Sequence, residues 1–365
     1  MSGSTPHPHQ GLPPDEAVPP HPHQGLPPDE AVPPHPYQGL PRRLVFAGEA
    51  IVDVMMRVPR LPERGGDLLA ASSAVTVGGG FNVMAAAARQ GLPVLYAGGH
   101  GTGPWGDLVR RALADEGIAV FRPPDQARDT GFDVALVEPD GERTFATHLG
   151  AEALAGPDSW DAVPAGPGDA VYISGYGLVP PESGPVLAAW AAALPPGPLL
   201  FIDPGPLVAE IPAAVLDPVL ARCDWLSCNQ REAALLAGVA DPAKAARRLL
   251  ARTARANVIV RSGPAGCLLA LRPAATSSPT SHTGAESAIP PPPTLVRIPA
   301  PAVTAVDLTG AGDAHAGVFL AALADGLDPA AAARRANAAA ALAVTRPGPA
   351  TSPTRAALDT WLTRR

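Results

Sequence analysis

Apolar side chains in this chain come in short runs, separated by segments of helical spacing. "RLVFAGEAIVDVMM" is almost unbroken and predicts one buried strand. "FNVMAAAARQG" predicts a helix closed by Gly91. "PVLYAGG" predicts a strand, "WGDLVRRALADEG" a helix and "IAVFR" a short strand. "DAVYIS", "PLLFID", "DWLSC", "NVIVRS" and "GCLLAL" follow as strands, with helices between most of them. From Gly312 to Thr345 the pattern is Ala-rich and helical, interrupted near Gly326–Asp328, and a last helix fits 353–363. This alternation is the signature of a parallel sheet with helices on its faces.

Two stretches break the rhythm. Residues 66–77 and 130–148 alternate apolar and polar positions, and "EPDGER" within the second has the composition of a hairpin turn. Together they predict a small antiparallel accessory sheet. Residues 273–294 are rich in Ser, Thr and Pro and predict a surface loop between strands. Residues 6–41 repeat with a period of 14, "PHPHQGLPPDEAVP" occurring twice before a partial third copy. So dense a proline pattern cannot form a helix or sheet ladder, so 1–43 reads as a tail and 44–365 as the folded domain.

Composition narrows the chemistry. Formal net charge is −7, which speaks against a nucleic-acid surface. Lys244 is the only lysine. The spacing of Cys223, Cys228 and Cys267 fits neither a zinc motif nor a disulfide framework, and matches a reducing cytoplasm. No apolar run is long enough to predict a membrane span.

Four clusters could carry chemistry. In "AVDLTGAGDAHAGVF", Gly310, Ala311 and Gly312 fall at a predicted helix N-terminus, where backbone N–H groups and the helix dipole favour a phosphoryl anion. Asp313 beside them is either a general base or a helix N-cap. "VGGGFN" leads from strand to helix; Gly79, Gly80 and Asn82 are either ligand contacts or a capped tight turn. "NQRE" sets Asn229 and Glu232 three apart, as a magnesium–phosphate pair or a capping box. "VRSGPAGCL" places Gly263 and Gly266 in a turn that covers a nucleotide or closes a hairpin. A fifth cluster, Gly101, Gly103 and Gly106, has dinucleotide spacing, but Pro104 removes a needed N–H and Trp105 is bulky at the helix entry. No P-loop sequence is present, and Lys244 lies in no protein-kinase context.

In this order the motifs resemble the ribokinase-type (PfkB) family of carbohydrate kinases. The resemblance is carried by "VGGGFNVMAAAARQG", "GTGPWGDLVRRALADEGI", "NQRE", "DLTGAGDAHAGVFLAAL" and "RRANAAAALAVTRPG" over roughly 44–363. It implies an α/β, ribokinase-like fold: a central mostly parallel sheet flanked by helices on both faces, with a small β lid. It implies ATP-dependent phosphorylation of an alcohol on a small sugar. Asp313 would be the base, with Gly310, Ala311 and Gly312 forming the anion hole. Asn229 and Glu232 would organise Mg²⁺ and the phosphates. Arg261, Gly263, Gly266 and Asn337 would border the nucleotide. Asp53, Gly79, Gly80 and Asn82 would hold the sugar. Asp307 would belong to a K⁺ site, and relatives often form homodimers through the lid. Three departures stand out. Arg261 and Ser262 replace the Thr and apolar residue of many relatives. "YISGYG" lacks the glutamate of ribokinases proper. Val83, Met84 and Ala85 stand where phosphofructokinase relatives place a basic residue, which favours an unphosphorylated sugar over a sugar phosphate. A nucleoside kinase is the alternative on the same fold.

Overall fold

The computed structural model describes residues 40–153, 156–273 and 292–364. Residues 1–39 of the predicted tail and 274–291 of the predicted loop lie outside the described residues. In chain order the strands are β1 (Arg43–Ala47), β2 (Ala50–Arg57), β3 (Ser72–Gly79), β4 (Val94–Tyr96), β5 (Ala119–Val120), β6 (Phe132–Val137), β7 (Arg143–His148), β8 (Asp169–Ser174), β9 (Leu199–Asp203), β10 (Trp225–Asn229), β11 (Asn257–Arg261), β12 (Cys267–Leu271) and β13 (Thr294–Ile298). The helices are α1 (Phe81–Arg89), α2 (Pro104–Asp115), α3 (Pro157–Asp161), α4 (Gly184–Ala193), α5 (Ala213–Arg222), α6 (Gln230–Ala237), α7 (Pro242–Arg252), α8 (Ala311–Ala324), α9 (Pro329–Ala343) and α10 (Arg355–Leu362).

Nine strands form one sheet in the order β13-β12-β11-β10-β9-β8-β1-β4-β5. Pairing is parallel from β11 to β5, and β12 and β13 join one edge antiparallel. Strands β3-β2-β6-β7 form a second, four-stranded sheet. Its β2–β6 pair is parallel and its outer pairs are antiparallel.

The apolar run at 43–56 is therefore two strands, not one. Gly48 and Glu49 interrupt it, and the chain leaves the large sheet for the small one. Burial is continuous through the break, so the hydrophobic pattern gives no warning. The strand expected at 66–77 runs instead from Ser72 to Gly79, the stretch that β2 pairs residue for residue. Just before Leu308, Val306 and Asp307 donate their N–H groups to the Val344 carbonyl.

One face of the large sheet carries a row of aromatic rings. Phe46 stacks on Tyr172 at 5.2 Å and Tyr172 on Phe201 at 5.3 Å, and Trp225 meets Phe319 of α8 edge-on at 4.9 Å. Register alone aligns them, since Phe46 faces Tyr172 and Phe201 faces both Tyr172 and Trp225. The other face, through Val45, Val171, Leu200, Leu226 and Val258, packs against apolar residues of α4, α5 and α7. Helix α8 thus rests on a floor of buried rings, each contributing large apolar area. It also packs along α1 and α9. At the α1 crossing a Cβ on Gly317 would stand 2.5 Å from the Val83 carbonyl, so only glycine permits this approach. All the described residues belong to one unit, Pro33–Arg365.

Candidate active site

Ser174, Asp203, Asn229 and Arg261 end the adjacent strands β8, β9, β10 and β11. Carboxyl ends of parallel strands are where such sheets gather ligand-binding groups. Helix α8 begins among them. Its N-cap, Gly310, is left-handed with φ 73°, and a Cβ there would lie 2.2 Å from the Pro349 carbonyl. No side chain caps this end. The N–H groups of Gly312 and Asp313 have no helical carbonyl one turn behind them.

Asp313 is the third residue of α8, not its cap. Asn82, the second residue of α1, donates from Nδ2 to Asp313 Oδ2 at 3.1 Å. The capped-turn alternative for Asn82 is likewise not what forms: α1 is preceded by Gly80, with no side-chain cap. Burial raises the Asp313 pKa to about 6; the Asn82 hydrogen bond lowers it, Asp203 raises it and Arg261 lowers it.

The small sheet faces this point with a line of polar side chains. Asp53 of β2 is flanked by Thr76 of β3 and Asp133 of β6, each opposite it in register. The Asp53 carboxylate lies across Gly78, where a Cβ would stand 2.0 Å from Oδ2. Burial, reinforced by Asp133 and Asp313, pushes Asp53 up to about 8, and burial lifts Asp133 to about 6. Glu49, between β1 and β2, accepts from Ser174 Oγ at 3.1 Å and is pushed to about 8, chiefly by burial. Four buried polar atoms on these residues have no protein partner: Glu49 Oε2, Thr76 Oγ1, Asn82 Oδ1 and Asp133 Oδ1. Such groups are costly unless a ligand completes them. Gly79 and Gly80 form the turn between β3 and α1, and the Gly80 N–H donates to the Glu49 carbonyl at 2.9 Å.

Across α8, Arg261 is buried among acids. Its Nη1 donates to Asp203 Oδ2 at 2.5 Å and to Ser227 Oγ at 2.6 Å, and its Nη2 lies 3.6 Å from Glu232 Oε2. A Cβ on Gly312 would be 3.4 Å from Nη2, so the guanidinium adjoins the α8 N-terminus. Asn229 and Glu232 do form the capping box: the Asn229 side chain accepts from the Glu232 N–H at 2.9 Å, and Glu232 accepts from the Asn229 N–H at 2.7 Å. Burial raises Glu232, with Asp203 adding to the shift and Arg261 opposing it. Among the described residues no group of three or more His, Cys, Asp or Glu could close around a metal. Glu232 Oε1 also accepts from Asn229 Nδ2 at 2.7 Å, so this pair is held together by its own hydrogen bonds, and its oxygens are the hard donors that would face Mg²⁺ on a nucleotide's phosphates.

Gly263 and Gly266 bound the turn between β11 and β12, both with positive φ. Asn337 is buried in α9, and its amide donates to the carbonyls of Ile298 and Pro299 at 2.9 and 3.3 Å. It holds the end of β13 beside that turn.

Asp307, expected in a K⁺ site, is taken up by protein donors. Its Oδ1 accepts from Thr309 N at 2.9 Å and Thr309 Oγ1 at 2.7 Å, and it is paired with Arg143 Nη2 from β7. Its Oδ2 accepts from Gly348 N at 3.1 Å. Burial opposes the charge, but these partners together lower its pKa. The residues present therefore do not fit a K⁺ ion.

The dinucleotide look-alike is closed from within. Asp129 accepts from the N–H groups of Trp105 at 3.0 Å and Gly106 at 2.8 Å, at the first turn of α2.

Sequence reading missed Glu49, Asp133, Arg143 and Asp203. Asp203 could have been found, because it ends an apolar strand and precedes Pro204-Gly205. Glu49 and Asp133 are single acids in or beside strands, and only the register brings them to the cleft. Arg143 looks like part of a polar turn.

A PfkB family profile, described as pfkB family carbohydrate kinase, matches residues 41–356. The chain is 33% identical over 320 residues to the uncharacterized sugar kinase YegV of Escherichia coli, covering 86% of this chain and 91% of that protein. It is 30% identical over 285 residues to a fructokinase of Klebsiella pneumoniae, covering 76% and 83%. The crystal structure of a ribokinase from Thermotoga maritima superimposes with a TM-score of 0.70 at 23% identity, covering 88% of this chain and 99% of that one. The profile covers most of the chain and the relatives match over nearly their whole length, so the chain belongs to the PfkB family of carbohydrate kinases.

Proposed function

We propose that the protein transfers the γ-phosphoryl group of ATP to a hydroxyl of a small, unphosphorylated sugar. The observation that carries this reading is the set of four unpartnered buried polar atoms lining the cleft next to Asp313. Asn82 Oδ1 only accepts, Asp133 Oδ1 accepts when ionised, and Glu49 Oε2, whose carboxyl holds its proton up to about pH 8, and Thr76 Oγ1 can either donate or accept. A polyhydroxylated ligand would satisfy them, whereas an apolar one would leave them buried and unpaired.

Asp313 removes the proton of the attacking hydroxyl, and a pKa near 6 suits a base at neutral pH. Asn82 fixes which carboxylate oxygen faces the sugar. Asp53, with Gly79 and Gly80 shaping the floor beneath it, holds other sugar hydroxyls, joined by Asp133, Thr76 and Glu49. The N–H groups of Gly312 and Asp313, with Gly310 and Ala311 shaping the turn, receive the charge that develops on the phosphoryl oxygens. Glu232 and Asn229 would hold Mg²⁺, which supplies charge neutralisation on the phosphates when bound. Arg261 stands between that pair and the nest. Gly263, Gly266 and Asn337 form the border against which the nucleotide lies.

A nucleoside acceptor is the second reading. Structural similarity extends to a nucleoside kinase from Methanocaldococcus jannaschii at a TM-score of 0.67, but at 18% identity this reaches the fold alone. The deciding experiment is ATP-to-ADP turnover with Mg²⁺ over ribose, fructose, 2-keto-3-deoxygluconate, fructose 6-phosphate and adenosine, beside Asp313→Asn. A sugar that turns over only in the wild-type protein supports the proposal. Turnover with adenosine alone overturns it.

A further inference from the structure

We propose that the guanidinium of Arg143 acts as the resident cation of the Asp307 site. The enzyme would then work without K⁺, its cation delivered by the small sheet. The inference uses the phosphotransfer reading above only for its activity measurement.

The saturation of Asp307 comes first. A carboxylate has about four lone-pair sites. Asp307 has four donors: Thr309 N, Thr309 Oγ1, Gly348 N and Arg143 Nη2. Three of them converge on Oδ1, and Arg143 brings the positive charge that a K⁺ ion would otherwise supply to that oxygen. Its side chain is 7% exposed, so the paired charge is screened little.

The place of Asp307 in the chain comes next. It opens the turn that leads to Gly310 and the nest. Its Oδ2 holds Gly348, next to Pro349, whose carbonyl lies against Gly310. Its own N–H bonds Val344 at 3.1 Å. The charge at Asp307 thus fixes two loops that together define the α8 N-terminus.

Arg143 comes from elsewhere. It is the first residue of β7, at the tip of the hairpin with β6, and pairs with Val137. The hairpin's base is tied separately: Glu152 accepts from Gly131 N at 2.9 Å and Gly150 N at 2.6 Å. Among the described residues Arg143 is the small sheet's only ion pair to the rest of the molecule. It lines a cavity of about 280 Å³ with Arg57, Thr76, Asp307 and Gly348, and its buried Nε has no partner. An arginine keeps its charge at any working pH, so a cation stays paired with Asp307. Arg143 is a positioning residue: it acts on the nest through Asp307.

The test uses the full chain. Thermal melting is followed in KCl and in choline chloride at equal ionic strength, for the wild type, Arg143→Ala and Arg143→Lys. The wild type and Arg143→Lys are expected to melt alike in both salts, and Arg143→Ala to melt higher in KCl. In choline, Arg143→Ala should lose kcat by about tenfold to a hundredfold with little change in KM for ATP, and KCl should restore most of it. A K⁺-specific rise in wild-type melting temperature or turnover overturns the proposal. So does an Arg143→Ala protein that responds to K⁺ in neither measurement. Absence of turnover with every acceptor overturns the phosphotransfer reading instead, and the melting comparison still decides the role of Arg143.

Discussion

Asn82 Nδ2 and Asp313 Oδ2 meet at 3.1 Å, joining residues 231 positions apart. Each sits in the first turn of its helix, and the two helices cross where Gly317 lets the backbones touch. The hydrogen bond leaves one carboxylate oxygen for a ligand. If Asp313 is the base, Asp313→Asn should cut kcat by about 10³-fold or more while ATP binding by calorimetry stays within a few-fold. Comparable turnover in the mutant would remove Asp313 from that role.

The same contact sets a pH profile. With Asp313 near 6, kcat should fall as pH drops through about 6, because the protonated acid cannot accept the hydroxyl proton. Asn82 lowers that pKa, so Asn82→Ala should move the acid limb to higher pH. It should also raise KM for the sugar. An acid limb unmoved in the mutant would separate Asn82 from the base.

Glu49 leads to a stability prediction. Its folded pKa of about 8 lies above the ordinary 4.5, so the folded state holds its proton more tightly than the unfolded chain. That contribution is fully present below 4.5 and is lost as pH rises through 8. Glu49→Gln should therefore match the wild type near pH 4.5 and exceed it near pH 8, by on the order of several kcal/mol. Melting temperatures across that range would check it, and parallel curves would refute the burial argument.

Arg261 neutralises two buried acids, Asp203 and Glu232. Removing it leaves both charges uncompensated, so Arg261→Leu should cost about 3–5 kcal/mol of stability. Adding Asp203→Asn should recover part of the loss. Denaturant midpoints of the single and double variants would show the coupling; strict additivity would argue against the pair.

The strand–helix alternation was readable because buried parallel strands are apolar on both faces and the helices between them keep their period. The passage from β1 to β2 was not, since burial continues through Gly48 and Glu49. The nest was legible because Gly310 takes a left-handed backbone and lies against the Pro349 carbonyl, where only glycine fits. Asp53 came from the family resemblance. Its neighbours Asp133 and Thr76 depend on strand register, which no local pattern carries. Asp307 was legible as an acid in the right motif. Its partner Arg143 lies in another sheet, and only the fold brings the two together.

Helix α2 follows a glycine pattern that resembles a nucleotide site, yet its first N–H groups end on Asp129, a carboxylate of the same chain. The fold has given that helix a built-in counter-anion. Helix α8 begins without a side-chain cap, although acids stand near it. The two glycine motifs differ less in their glycines than in who supplies the negative charge. In one the polypeptide does, and the helix end becomes scaffold. In the other the charge must come from outside, and what brings it is available to react. Asking of each helix start whether the chain has already answered its dipole separates structural glycine turns from chemical ones, and here it selects α8.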